Sequence, residues 1–127
     1  MFIRYIAGRY SGRRYDQGGI RLNESIALTE STYYILLSLV TPQHGYGIMQ
    51  TAERLSGGRV RLAAGTLYGA LSALCEKGWI APLPVSQDSR KKEYHLTNHG
   101  LSVLKGELAR LRSLVENGDA ILKEELK

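Results

Sequence analysis

The sequence predicts a mainly α-helical fold with one small β-hairpin, and three observations lead to this fold class. Apolar residues recur at the three-to-four-residue spacing of a helix face in three segments, and a fourth segment is apolar nearly all round. Residues 79–97 instead hold two short apolar stretches around a polar, basic tip. Hydrophobic residues make up 43% of the chain and charged residues 23%, which is typical of a packed globular domain and excludes wholesale disorder.

The first predicted helix begins at Thr29, whose hydroxyl can cap it, and Glu30 then lies favourably in the first turn. Residues 33–40 are apolar nearly all round. We therefore expect this helix to be central and buried. Pro42 ends it, and the loop PQHGYG follows.

A second helix is predicted from residue 46 to residue 56, where Gly57 and Gly58 stop it. Its apolar stripe consists of Ile48, Met49, Ala52 and Leu55. Residues 59–62 alternate in polarity and are compatible with a very short strand.

The third helix, predicted from about Gly65 to just before Gly78, has two different faces. Its inner face carries Leu67, Leu71, Leu74 and Cys75. Its outer face carries Gly69, Ser72, Ala73 and Glu76, with Thr66 and Tyr68 near the amino end. A solvated helix usually carries long charged residues on its outer face. Small residues there permit the close approach that a helix entering a groove of DNA needs.

The hairpin is predicted to pair residues 79–85 with residues 92–97. Pro82 and Pro84 restrict the first strand to an edge of the sheet, because proline cannot donate to a ladder. Arg90, Lys91 and Lys92 make the tip basic. We expect these three to contact phosphates, although a charged, solvated turn is the alternative reading.

The last helix is predicted to begin at Thr97 and to carry an apolar seam. The seam consists of Leu101, Leu104, Leu108, Leu111, Val115 and Leu122, with Gly118 in one slot. A lone helix cannot bury such a seam, so it packs on a partner or on the first helix. Asn117 and Gly118 are candidates for an end or a kink.

Charge divides the chain unevenly. The net charge is +5, and residues 1–28 hold five arginines against two acidic residues. We interpret residues 1–28 as a flexible basic arm, 29–98 as one compact domain and 99–127 as a separate last helix. Neither a signal peptide nor a membrane-spanning run is present in the sequence, and Cys75 is the only cysteine. These features favour the cytoplasm.

No pattern in the chain indicates catalysis or a cofactor. His95 and His99 span a strand end and a helix start, which is not metal-ligand spacing, and Cys75 is distant from both. Phosphate-binding loops, nucleophile elbows and paired hydrolase carboxylates are missing from the sequence. We therefore expect neither an enzyme nor a metal site.

The order helix, helix, helix, hairpin, helix, with a basic hairpin tip, is that of a winged helix-turn-helix. Three segments, PQHGYGIMQ, GTLYGALSALCEKGWI and KEYHLTNHG, also resemble the PadR-like family of bacterial transcriptional regulators. The resemblance covers residues 29–117 in the family's order and fits its small class, which ends in one helix. The family usually has a capping residue where this chain has Ala63 and Ala64, and the resemblance does not explain the arm.

The resemblance implies a homodimer that binds double-stranded DNA, usually as a repressor. In many members a small hydrophobic effector relieves the repression. The resemblance also implies that residues 29–98 form the DNA-binding domain and that the last helix, residues 99–127, holds the dimer. Some small members carry a tryptophan on that helix, whereas the only tryptophan of this chain, Trp79, lies at the start of the wing. Two-fold symmetry would make the operator a pseudo-palindrome.

Together these arguments predict a set of DNA-contacting residues, namely His44, Tyr46, Thr66, Tyr68, Gly69, Ser72, Arg90, Lys91 and Lys92. For Tyr46 and Tyr68, packing at the domain surface is the alternative to contact with DNA. Two other functions stay open at this stage. One is a winged helix used only for protein–protein contact, and the other is a MarR-like regulator, which normally needs an amino-terminal helix that residues 1–28 do not resemble.

Overall fold

The computed structural model describes residues 26–84 and 91–125. It contains four helices and three short strands in these residues. In chain order they are α1 (Glu30–Ser38), β1 (Gln43–His44), α2 (Gly45–Leu55), α3 (Ala64–Glu76), β2 (Ile80–Pro82), β3 (Glu93–Leu96) and α4 (Asn98–Glu125). The fold class is the predicted one. Most of the predicted arm and the part of the hairpin tip at residues 85–90, which includes Arg90, lie outside the described residues.

Helix α1 is the centre of the core, as its uniformly apolar sequence predicted. Thr29 caps it by accepting a hydrogen bond from the Thr32 amide at 3.1 Å. Ile35, Leu36 and Leu39 are almost fully buried. They pack with buried residues of α2, α3, the sheet and α4, namely Ile48, Leu67, Leu71, Leu74, Ile80, Tyr94 and Leu104.

Glycine ends both α2 and α3 in the same way. Gly57, Gly58 and Gly78 have φ of 65°, 87° and 77°, which glycine adopts without steric cost. After α2, the Gly58 amide donates to the Glu53 carbonyl at 2.8 Å. After α3, the Trp79 amide donates to the Leu74 carbonyl at 3.1 Å. These bonds satisfy carbonyls that a helix end otherwise leaves without partners.

The sheet has one strand more than the predicted hairpin. Its order is β1-β3-β2 with antiparallel pairing, in which Gln43 pairs with Tyr94 and Ile80 with Leu96. Two residues are too short for a period to show, so β1 was missed. The short strand predicted at residues 59–62 was wrong, because that stretch is the turn between α2 and α3. Strand β2 lies at an edge, as its prolines required.

Helix α4 begins where Thr97 joins it to the sheet. The Thr97 hydroxyl accepts from the Gly100 amide at 3.0 Å and donates to the Gly78 carbonyl at 2.6 Å. A Cβ at Gly100 would lie 2.8 Å from the carbonyl carbon of Trp79, so only glycine lets the helix approach the start of the wing. The helix runs unbroken through Asn117 and Gly118. The helix end considered there is therefore not present.

Candidate nucleic-acid interface

The two faces of α3 are separated as the sequence predicted. Leu67, Leu71 and Leu74 are buried, whereas Thr66, Gly69, Ser72, Ala73 and Glu76 are exposed. The helix carries no lysine or arginine. A Cβ built at Gly65 or Gly69 meets no atom within 4 Å, so internal packing does not demand glycine at either position. Because most exposed side chains on this face are small, a partner surface can approach the helix closely.

The amino end of α3 has no side-chain cap. Ala63 occupies the cap position, and no side chain accepts from the first-turn amides. These amides carry the partial positive charge of a helix amino terminus, which favours an approaching anion. The missing cap thus agrees with the sequence prediction at Ala63 and Ala64.

Tyr68 connects α3 to the start of α2. Its ring lies over Gly45, where a Cβ would be 2.9 Å from Cζ of the tyrosine. Gly45 is buried, but Tyr68 keeps 49% of its surface exposed. Tyr68 therefore packs against its own domain, as the alternative to DNA contact required, and its exposed side leaves contact with DNA as a prediction.

His44 and Tyr46 have different positions at the start of α2. The Nδ1 atom of His44 accepts a hydrogen bond from the Gly47 amide at 3.3 Å and so caps the helix. Tyr46 is 61% exposed. A polar groove of about 660 Å³ adjoins Tyr46, and it is lined also by Gln43, Gly47, Gln50, Thr51, Glu53 and Arg54. Tyr46 is available to a partner, whereas His44 positions the backbone.

The described part of the wing adjoins this end of α2. His44 pairs with Glu93 across β1 and β3. Lys91 and Lys92 are exposed, and the Lys92 ammonium lies 5.7 Å from the centre of the Tyr94 ring. Burial raises the pKa of Tyr94, with smaller contributions from Cys75 and Tyr68. The start of α3 thus contacts the start of α2 through Tyr68 and Gly45, and the start of α2 adjoins the wing through the pairing of β1 with β3.

Sequence reasoning missed the arginines around the turn between α2 and α3. Arg54 and Arg61 are exposed, and the Arg61 Nε is 3.7 Å from a carboxylate oxygen of Glu53. Arg59 instead binds Glu30, which raises the pKa of the Arg59 guanidinium. Interpreting residues 59–62 as a strand hid this basic turn, which directly precedes α3.

The predicted seam of α4 divides into two rows. Leu101, Leu108, Val115 and Leu122 are seven residues apart, and all four are exposed. Leu104 is in the chain's own core, and Leu111 is half-buried. Leu114 and Ile121, which the seam did not include, are also exposed. The helix therefore presents an apolar surface that its own domain leaves open.

Other kinds of site find no support in the described part of the chain. Its histidine, cysteine and acidic side chains nowhere form a group of three that could hold a metal ion. His99 instead meets the Trp79 ring edge-on, with 6.4 Å between ring centres. Among residues 26–84 and 91–125, no helix has the length and apolar character needed to cross a membrane.

Comparisons with solved structures find two regulators described as PadR or PadR-like and a third protein of the same fold. A PadR family transcriptional regulator from Eggerthella lenta is 25% identical, with 71% of this chain and 79% of that chain covered and a TM-score of 0.57. A PadR-like transcription factor from Bacteroides fragilis is 27% identical, with coverage of 72% and 87% and a TM-score of 0.57. RosR of H. salinarum, at 24% identity, shares the fold over 81% and 97% with a TM-score of 0.60.

No curated protein sequence matches the chain. The family model described as the transcriptional regulator PadR-like family matches residues 35–106, which is more than half of the chain and extends from α1 into α4. The MarR-like alternative is not the family found. The chain belongs to the PadR-like family of transcriptional regulators.

Proposed function

We propose that the protein is a homodimeric, sequence-specific DNA-binding repressor of the cytoplasm, which a small hydrophobic effector releases from its operator. The observation that carries this proposal is the outer face of α3. Gly69 stands in the middle of a helix, where glycine costs about 1 kcal/mol relative to alanine, and nothing inside the domain requires it. Together with the exposed Ser72 and Ala73, it forms an outer face of small residues that allows an outside surface to approach closely.

The flanking groups suit a DNA duplex. Thr66 and Ser72 offer hydroxyls to base edges, since a hydroxyl both donates and accepts hydrogen bonds. Tyr46 and Tyr68 offer phenol groups to phosphates. Lys91, Lys92 and the Arg90 predicted beside them, with Arg54 and Arg61 at the turn before α3, supply the cations that α3 itself lacks.

The exposed row of α4 supports the dimer. Leu101, Leu108, Val115 and Leu122 form a heptad row that a second copy of the helix can bury, with Leu111 at its edge. Leu104, although part of the predicted seam, holds the helix to its own domain. An apolar interface of this kind also suits a hydrophobic effector, which would act by changing how the two copies pack.

The test is selection of binding sites from a library of random duplexes, followed by sedimentation of the complex. We expect enrichment of a pseudo-palindrome with half-sites about 10–10.5 base pairs apart, bound by two chains. The result that would overturn the proposal is a library with no enriched sequence while the protein remains folded. A winged helix used only for protein contact would give that result.

A further inference from the structure

Glu107 is a buried carboxylate on α4, and DNA contact does not use it. Its side chain is only 1% exposed. The Arg110 guanidinium donates to it twice, from Nε at 2.6 Å and from Nη2 at 2.8 Å. The Leu28 amide donates to it at 3.0 Å. An ion with all its partners in place is tolerated inside a protein, but its geometry is much more demanding than that of an apolar contact.

The position of Glu107 along α4 is informative. Nearer the start of the helix, Gly100 lies against the Trp79 carbonyl and Leu104 lies in the core. Beyond Leu111, every described side chain of the helix is exposed, through residue 125. Glu107 and Arg110 therefore lie where the helix leaves the body of the domain.

The two anchors of α4 attach to different parts of the body. Gly100 holds the helix to the start of the wing, while Glu107 holds it to Leu28, directly before the cap of α1. A helix held at one end can pivot, whereas two separated anchors fix its direction.

We propose that Glu107 is a positioning residue that fixes the angle at which α4 leaves the domain, and thereby the separation of the two α3 helices in the dimer. This inference rests on the proposed function, because it needs a dimer held by α4. Arg110 and Glu125 are fifteen helical steps apart, which is about 22 Å at 1.5 Å per residue. A tilt of about 10° therefore moves the far end by about 4 Å, which is close to the rise of about 3.4 Å per base pair along the DNA axis.

The experiment measures the distance between the two α3 helices without DNA. Cys75→Ala removes the only cysteine, and Ser72→Cys carries a spin label on the exposed face of α3. Electron-electron distance measurements then compare the parent with Glu107→Gln and Arg110→Gln. Glu116→Gln and Arg112→Gln, both exposed and beyond the body, are the matched controls.

We expect a narrow distance distribution for the parent and the controls. For Glu107→Gln and Arg110→Gln, here called the clamp variants, we expect a distribution at least twofold broader, while both remain dimeric in sedimentation. Clamp variants that melt at lower temperature but keep the narrow distribution would reduce Glu107 to a structural role and overturn the inference. Arg110→Gln keeps the carboxylate and its bond to Leu28, so it decides the question if Glu107→Gln does not fold. A monomeric parent would overturn both this inference and the proposed dimer, whereas an unchanged distribution in variants that remain dimeric overturns this inference alone.

Discussion

Replacing Gly69 by alanine should stabilise the protein and weaken its binding to DNA. Gly69 lies inside α3, and a Cβ there meets no atom within 4 Å, so the new methyl group causes no clash. The gain in helix propensity is about 0.8–1.0 kcal/mol. For a chain of 127 residues, that gain raises the melting temperature by about 3–6 °C.

The same methyl group should interfere with DNA binding, because it points away from the domain. If the outer face of α3 approaches the base edges closely, a Cβ at Gly69 displaces the helix or a well-placed contact. We expect a loss of about tenfold in affinity, which is about 1.4 kcal/mol. Thermal unfolding followed by circular dichroism gives the first quantity, and fluorescence anisotropy with the selected duplex gives the second.

The matched control is Gly106→Ala on α4. Gly106 is also inside a helix, and a Cβ there also meets nothing within 4 Å, but α4 is not the helix assigned to DNA. We expect the same gain in stability and no change in affinity. If both variants gain stability and both bind DNA as the parent does, α3 does not approach the duplex closely, and the reasoning from its small face fails.

Three further predictions concern the other surfaces. Leu108→Asp with Val115→Asp should give a folded monomer in sedimentation, because both residues are exposed in the single chain and only a dimer would bury the new charges; a dimer would place the interface elsewhere. Lys92→Ala should reduce the slope of log affinity against log salt by about one unit for every DNA sequence tested, and an unchanged slope would mean that Lys92 is only solvated. Arg110 lowers the pKa of Glu107, so this carboxylate stabilises the fold above its ordinary pKa of about 4.3 and loses that effect as pH falls through the lowered value. The deficit of Glu107→Gln, about 1.5–3 kcal/mol at pH 7, should therefore shrink in denaturation at pH 3, and an equal deficit at both pH values would contradict the ion pair.

The helices could be predicted from the sequence because their signals are local. Thr29, Gly57 and Gly78 cap or end helices through bonds that span only a few residues, so their roles follow from residue type and spacing. The inner leucines of α3 follow from helical period in the same way. These features were found within one or two residues of their predicted positions.

The rest depends on contacts between distant parts of the chain. Position 45 has room only for glycine because the Tyr68 ring lies over it. The buried Glu107 carboxylate accepts a hydrogen bond from the Leu28 amide, 79 residues away. No period in the sequence carries either contact. The seam of α4 shows the same limit, since spacing places Leu104 and Leu108 in one stripe, but only the fold shows that Leu104 faces the core.

The central claim is that the outer face of α3 recognises the DNA sequence. It is tested most directly by comparing Ser72→Glu with Ser102→Glu. Both serines are exposed on helices, on α3 and α4 respectively, and both changes add one negative charge. The measurement is affinity for the selected duplex, with the melting temperature as the check on folding. We predict that Ser72→Glu abolishes specific binding, that Ser102→Glu retains it, and that both melt near the parent's temperature. Parental affinity in a folded Ser72→Glu protein would contradict the claim.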